Sequence, residues 1–172
     1  MFDLGLKFKD SWPIVKILLL VFAILLSIEI FQIGLNYLAG WLEKRRIKKW
    51  LEKHKTLEEW KKLDGREFEK IVAAIFERLG YKTKIRRDGG IDIVAQKDGK
   101  RFFIQCKNMD KVIPDDVRAF WGSIVDQIKR GGGEKGFFVT TGSFTKESWE
   151  FIKDKPIELI DGIKLEKLAK SK

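Results

Sequence analysis

Three polar side chains in the middle of the chain are of types that act together in hydrolysis. Asp92 sits between two isoleucines at the start of a predicted strand, where a charge is costly unless it has a partner or a role. Gln105 and Lys107 end a second predicted strand, and alternation places them on one face while Cys106 points to the other. The turn "KDGK" (97–100) joins the two strands into a hairpin, which brings Asp92 opposite Gln105 and Lys107.

A fourth candidate, Glu69, lies on a predicted helix at the border of its apolar face. Asp64 and Glu67 have the spacing of a capping box, so Glu67 is assigned to the helix start and Glu69 to the site. Two carboxylates, one carboxamide and one lysine suit Mg²⁺ or Mn²⁺, since Mg²⁺ binds few carboxylates and keeps several waters. Such an ion polarises a phosphate and acidifies bound water, while a lysine orients that water or stabilises developing charge.

The elements that hold these side chains predict an α/β domain over residues 63–172. The predicted strands are 81–85, 91–96, 101–107, 136–141 and 157–160, and the predicted helices are 63–80, 114–129, 145–153 and a last one from 163. Two of the strands, "RFFIQC" and "GFFVTT", are apolar on both faces, so helices are expected to cover both sides of the sheet. The predicted fold is a three-layer α/β/α sandwich with a central mixed sheet.

The first 42 residues are of a different kind. Residues 14–33 form an apolar run of about the length that crosses a bilayer. The basic segment 43–55 follows it, and the positive-inside rule places that side in the cytoplasm. We therefore expect a single-pass anchor in the cytoplasmic membrane, in contact with lipid through residues 14–38. A cleaved signal peptide, a buried core helix and a helix on the membrane surface are the alternatives.

Residues 43–62 predict a basic amphipathic linker helix between the anchor and the α/β domain. The expected organisation is therefore a tail and transmembrane anchor over 1–42, the linker helix over 43–62 and the α/β domain over 63–172. This helix and the anchor precede the sandwich in the chain.

Composition narrows the classes of partner. The net charge of +10 and the pI of about 9.6 favour a polyanion, either nucleic acid or anionic lipid. One cysteine and one histidine exclude an internal disulfide framework and a Cys/His metal cage. Four basic side chains near the site are the expected phosphate contacts: Lys84, Arg86, Arg87 and Lys111. Cys106 is expected to be a small buried hydrophobe and Asn108 a turn residue.

The region 63–170 resembles the Mrr-type (type IV) restriction endonuclease domain of the PD-(D/E)XK nuclease superfamily. The matching segments are "GREFEKIVAAIFERLGY" (65–81), "DGGIDIVA" (88–95), "IQCK" (104–107), "GFFVTTGSFT" (136–145) and "IELIDGIKL" (157–165). The resemblance implies Asp92 as a metal ligand, Gln105 as the replacement of a second acidic ligand, and Lys107 as the catalytic lysine. It implies Glu69 as the helical acid, and metal-dependent cleavage of double-stranded DNA, often foreign or modified.

Two other functions stay open at this level. A carboxamide brings no charge to the metal, so a catalytically degenerate, membrane-tethered DNA-binding module is one alternative. A Holliday-junction-resolvase-like nuclease is another, although the anchor and the Q-x-K pattern favour the Mrr type. Cleavage of both strands requires two sites, which makes a homodimer a candidate assembly.

Overall fold

The chain divides into two compact units, Met1–Arg45 and Arg46–Lys172. The computed structural model describes residues 4–54 and 56–171, with the side chains of residues 4–11, 87 and 88 outside that description. The predicted phosphate contact Arg87 falls on one of these side chains.

The described residues of the first unit, from Leu4 onward, form a single helix. The helix α1 runs over Leu4–Lys53 and continues past the boundary between the units. Within the described residues it is the one helix long and apolar enough to cross a membrane, from Trp12 onward, and none of its apolar window is buried. Leu20, for example, is 63% exposed. A core helix of a soluble protein would be mostly buried, so this exposure disagrees with the core-helix alternative.

The second unit alternates helices and strands. Its helices after α1 are α2 (Leu57–Lys61), α3 (Gly65–Arg78), α4 (Pro114–Lys129), α5 (Lys146–Phe151) and α6 (Gly162–Lys170). Its strands are β1 (Lys82–Asp88), β2 (Ile91–Lys97), β3 (Lys100–Lys107), β4 (Lys111–Val112), β5 (Lys135–Thr140), β6 (Ser143–Phe144) and β7 (Ile157–Ile160). The predicted helix 114–129 agrees with α4, and the capping box of Asp64 and Glu67 opens α3 as expected.

The central sheet is mixed, as predicted. Its strand order is β1-β2-β3-β5-β7, with β1, β2 and β3 antiparallel in turn and β3, β5 and β7 parallel. The hairpin β2–β3 turns at Asp98 and Gly99, which have φ of +51° and +75°. The Asp-Gly pair supplies this left-handed backbone, so the sequence marks the turn correctly.

Helices cover both faces of the sheet. Buried residues of α3 and α6 pack with Ile93, Ile104 and Cys106 on one face. Buried residues of α4 pack with Phe103 and Phe138 on the other face. The structure therefore has the three predicted layers, and strand alternation assigns Cys106 to the α3 side and Phe103 to the α4 side.

Three features differ from the predicted elements. The expected continuous helix over 43–62 is broken, because α1 ends at Lys53 and α2 covers only Leu57–Lys61. Trp60 on α2 is fully buried and its indole N–H donates to the His54 carbonyl, so this segment belongs to the packed core. The strands β4 and β6 form a second, two-stranded parallel sheet. Two-residue strands carry no periodic pattern, and the sequence therefore does not reveal them.

Candidate active site

The hairpin β2–β3 opens at the end away from its turn. The paired register runs from Lys97↔Lys100 to Ile93↔Ile104. Beyond it, a carboxylate oxygen of Asp92 accepts a hydrogen bond of 2.7 Å from the Cys106 backbone N–H. A side chain thus joins the two strands where the paired register stops. Half-burial raises the pKa of Asp92 above its ordinary value, and the Cys106 N–H opposes that rise.

Gln105 carries an unpartnered oxygen. Among the described residues its Oε1 atom is buried and accepts no hydrogen bond. A buried carbonyl without a donor costs about 1–3 kcal/mol, so native proteins retain few of them without a function. Gln105 follows Ile104, whose pairing with Ile93 places Gln105 in the row of Asp92. The open end of the hairpin therefore presents one anionic and one neutral oxygen.

Lys107 has an acid partner that the sequence did not indicate. Its ammonium group forms an ion pair with Asp116 in the first turn of α4. The second carboxylate oxygen of Asp116 accepts from the Ile113 N–H at 3.4 Å, in the capping position of the same helix. The lysine side chain is 42% exposed, so the pair contributes little to stability. Its main effect is to hold the amine at the end of β3.

Glu69 belongs to the helical layer on the other side of the sheet. It lies on α3, which packs on the face of Cys106. Burial raises the pKa of the Cys106 thiol well above its ordinary value, and the charges of Asp92 and Glu69 raise it further. Both carboxylates therefore act electrostatically on one thiol. The structure places Asp92, Gln105 and Lys107 at one end of the hairpin, whereas Glu69 lies on a helix of the opposite layer.

Cys106 is buried as expected, at 9% exposure, within the core under α3. Its neighbour Asn108 does more than end a strand. The Asn108 amide donates to the backbone carbonyls of Trp60 and Leu63 at 3.1 and 2.7 Å, and its oxygen accepts from the Thr141 hydroxyl at 2.6 Å. Asn108 thus fixes the chain before α3 against the end of β3. A long-range contact of this kind has no local sequence signal.

The predicted phosphate contacts lie at the surface. Lys84 and Arg86 are exposed on β1, whose last residue Asp88 pairs with Ile91 directly before Asp92. Lys111 is exposed on β4. The end of β1 is therefore close to the open end of the hairpin.

The donor set at the hairpin end fits a hard divalent cation. Asp92 offers a carboxylate and Gln105 an oxygen that no described group satisfies. Hard cations such as Mg²⁺ bind oxygen ligands of these types and complete their coordination with water. Within the described residues no cluster of three or more His, Cys, Asp or Glu side chains could hold a metal. The fit therefore depends on the carboxamide oxygen.

Comparison with known proteins agrees with this architecture. The architecture is a mixed five-stranded sheet between two helical layers. Residues 60–169 match the family Mrr_cat, described as restriction endonuclease, and the chain belongs to that family.

Solved structures are similar to parts of this chain. The DNA modification-dependent restriction endonuclease AspBHI is 17% identical with a TM-score of 0.51, over 73% of this chain and 34% of that one. MspJI restriction endonuclease, in complex with a 27-mer oligonucleotide, is 25% identical with a TM-score of 0.42, over 74% of this chain and 30% of that one. The protein AF1548 is 23% identical with a TM-score of 0.49, over 56% of this chain and 61% of that one. This chain therefore covers under two thirds of each of these proteins, and no curated protein matches it.

Proposed function

We propose that the chain is a membrane-anchored, divalent-metal-dependent DNA endonuclease that hydrolyses phosphodiester bonds in the restriction of foreign or modified DNA. The observation that carries the proposal is the Oε1 of Gln105, which lies in the row of Asp92, is buried and has no partner among the described residues. Membership of the restriction endonuclease family supports it.

Each residue at the open hairpin end has a role in this proposal. Asp92 and Gln105 would hold Mg²⁺ or Mn²⁺, with one carboxylate oxygen of Asp92 fixed by the Cys106 N–H. When bound, such a cation polarises the scissile phosphate and lowers the pKa of a bound water. Lys107 stabilises the charge that develops on the phosphate oxygens, or orients the attacking water. Glu69 supplies from α3 the negative charge that a carboxamide lacks.

The DNA contacts follow from position and charge. Lys84 and Arg86 are exposed near the end of β1, and Lys111 follows Lys107 by four residues. With Arg87 they are proposed to bind phosphates of double-stranded DNA around the scissile bond. Cleavage of both strands requires two sites, so the proposal includes a homodimer.

The membrane location is proposed from the exposed apolar part of α1. Residues 14–38 would contact lipid, with the catalytic unit in the cytoplasm because the basic segment follows the apolar run. Alkaline carbonate extraction of cells tests this, and the chain is expected to stay in the membrane pellet with its first 42 residues intact. A chain that is released and lacks those residues would identify a cleaved signal peptide instead.

The nuclease activity is tested with the full chain in detergent micelles, using plasmid with and without modified bases. We expect nicking and linearisation with Mg²⁺ or Mn²⁺ and none with EDTA. Asp92→Asn and Lys107→Ala are expected to lower the cleavage rate about 10³-fold, since each removes a charge placed at the reacting phosphate. Lys153→Ala, a matched change just after α5 at a lysine that pairs with the exposed Glu150, should cleave like the wild type. Equal rates for Lys107→Ala and wild type would refute the assignment.

One observation favours a second candidate, a degenerate DNA-binding module: the position beside Asp92 holds a carboxamide where the superfamily usually has an acid. This candidate predicts full DNA binding and no cleavage with any metal or substrate. It further predicts that Gln105→Glu restores cleavage, because the substitution returns the missing charge. In the nuclease proposal the wild type cleaves without that change.

A further inference from the structure

A groove crosses the face of strands β1, β2 and β3 beyond the candidate active site. It encloses about 530 Å³. Its lining side chains are Lys82, Thr83, Lys84 and Arg86 on β1, Val94 and Gln96 on β2, and Arg101 on β3. Four of these seven residues are cationic and none is acidic, so the groove has a strongly positive character.

The register places this groove on the face that carries the catalytic candidates. Lys84 pairs with Val94, which pairs with Phe103, and Val94 packs with the core beneath α4. Alternation then assigns Asp92 and Gln105 to that same face, two residues further along each strand. In the other direction, Gln96 pairs with both Lys82 and Arg101. One sheet face thus bears the candidate metal ligands at one end and the cationic groove at the other.

The charges of the groove are not neutralised within the described residues. No ion pair forms there at Lys82, Lys84, Arg86 or Arg101. The neighbouring lysines differ, since Lys100 pairs with Glu134 and Lys135 pairs with Glu158. Like charges held side by side repel each other and lower stability, so an uncompensated set is suited to an anionic ligand.

Protection of an exposed sheet edge explains part of this set but not all of it. Edge strands often carry lysines that prevent pairing with other chains, and β1 is an edge strand. Arg101 lies on β3, in the middle of the sheet, where no edge needs protection. Its presence in the groove indicates a ligand that spans three strands.

We propose that this groove binds the phosphate backbone of the substrate DNA on one flank of the cleavage site. The row of Lys82, Gln96 and Arg101 lies four residues along β2 from Asp92, which corresponds to about 13 Å. A duplex strand advances about 3.4 Å along its axis per phosphate, so the row meets the backbone about four nucleotides from the scissile bond. The inference rests on the proposed nuclease function, because it assumes DNA at Asp92.

The test measures DNA binding by the full chain in neutral phosphatidylcholine nanodiscs, in EDTA, over a range of salt concentrations. The double variant Lys82→Gln/Arg101→Gln is expected to lower the slope of log Kd against log salt by about 2. The matched double variant Lys167→Gln/Lys170→Gln removes two charges from α6 on the opposite layer and should leave the slope unchanged. An unchanged slope for the groove variant would overturn the proposal.

A second measurement does not depend on substituted chains. Bound DNA is expected to protect the Lys82 amine, but not the Lys167 amine, from acetylation read by mass spectrometry. Protection that appears only in discs containing anionic lipid, and not with DNA, would assign the groove to the membrane and overturn the proposal. Binding is measured without a catalytic metal. If the chain binds DNA but the groove variant has the same salt slope as the wild type, only the groove proposal is rejected. Absent cleavage in Mg²⁺ rejects the nuclease function separately.

Discussion

The two ends of the β2–β3 hairpin are built from the same strands but differ in how their polar groups are satisfied. At the turn, Asp98 and Gly99 adopt the left-handed backbone that their residue types favour. At the open end, Asp92 has a raised pKa, and Gln105 keeps a buried oxygen to which no described group donates. At the turn the backbone conformation agrees with the residue types. At the open end the polar groups lower the stability of the folded state. Costs of this kind concentrate where a protein binds or reacts, which points to the open end.

Among substitutions at the two ends of the hairpin, replacement of Gln105 is expected to have the largest effect on stability and cleavage. Gln105→Leu removes the orphan group, so we expect the metal-free protein to gain about 1–3 kcal/mol in the free energy of unfolding. The cleavage rate should fall about 10²-fold, because a metal ligand is lost. Thermal unfolding in EDTA and plasmid cleavage in Mg²⁺ measure the two effects.

Gln105→Glu is the matched variant for that experiment. It places a second charge beside the half-buried Asp92, so the metal-free protein should lose stability while its stabilisation by Mg²⁺ increases. If Leu and Glu at this position change stability in the same direction, the oxygen of Gln105 does not act as a ligand.

The ion pair at the end of β3 gives the next effect. Asp116→Asn keeps an oxygen for the Ile113 N–H but removes the charge that holds Lys107. We expect kcat to fall about tenfold, equivalent to about 1.4 kcal/mol, with KM little changed. Asp116→Glu should restore most of the rate.

The control for this prediction is the neighbouring acid. Asp115→Asn breaks only an exposed pair with Arg118 and should leave kcat unchanged. Equal losses from both substitutions would mean that Asp116 acts on the start of α4 and not on Lys107.

At the turn end, a substitution should change stability without changing chemistry. Gly99→Ala adds a Cβ in open space but at φ of +75°, so we expect a loss of about 1 kcal/mol. Gly122→Ala, on α4 with open space and no left-handed backbone, should instead stabilise by about 1 kcal/mol. Cleavage per folded molecule should stay the same in both. A rate loss in Gly99→Ala would show that the two ends are coupled.

The smallest expected effect is the pH dependence of stability. Burial raises the pKa of Asp92 above its ordinary value of 3.8, so its neutral form is favoured in the folded state. Its contribution to stability is complete below pH 3.8 and is lost as the pH rises through the raised pKa. The unfolding temperature of the wild type relative to Asp92→Asn, in EDTA, should fall over that window and then level off. A difference in unfolding temperature that does not change with pH would contradict a raised pKa at Asp92.

Local rules predicted the elements that depend on local chemistry. Asp64 and Glu67 marked the start of α3, and "KDGK" marked the hairpin turn. The ion pair of Lys107 with Asp116 was not predictable in the same way, because it depends on how α4 docks beside β3. The length of β1 was underestimated for a similar reason, since its last pair, Asp88↔Ile91, follows a register shift. Both features depend on tertiary contacts, which the periodicity of a sequence does not reveal.

The contacts of Asn108 have a mechanical consequence. Its amide is bonded to carbonyls on either side of Lys62, and the neighbouring Trp60 is buried in the core. A force that peels residues 60–63 away from the domain would therefore act on the residue that follows Lys107. Asn108→Ala should thus lower the force at which the unit begins to unfold from its amino-terminal side.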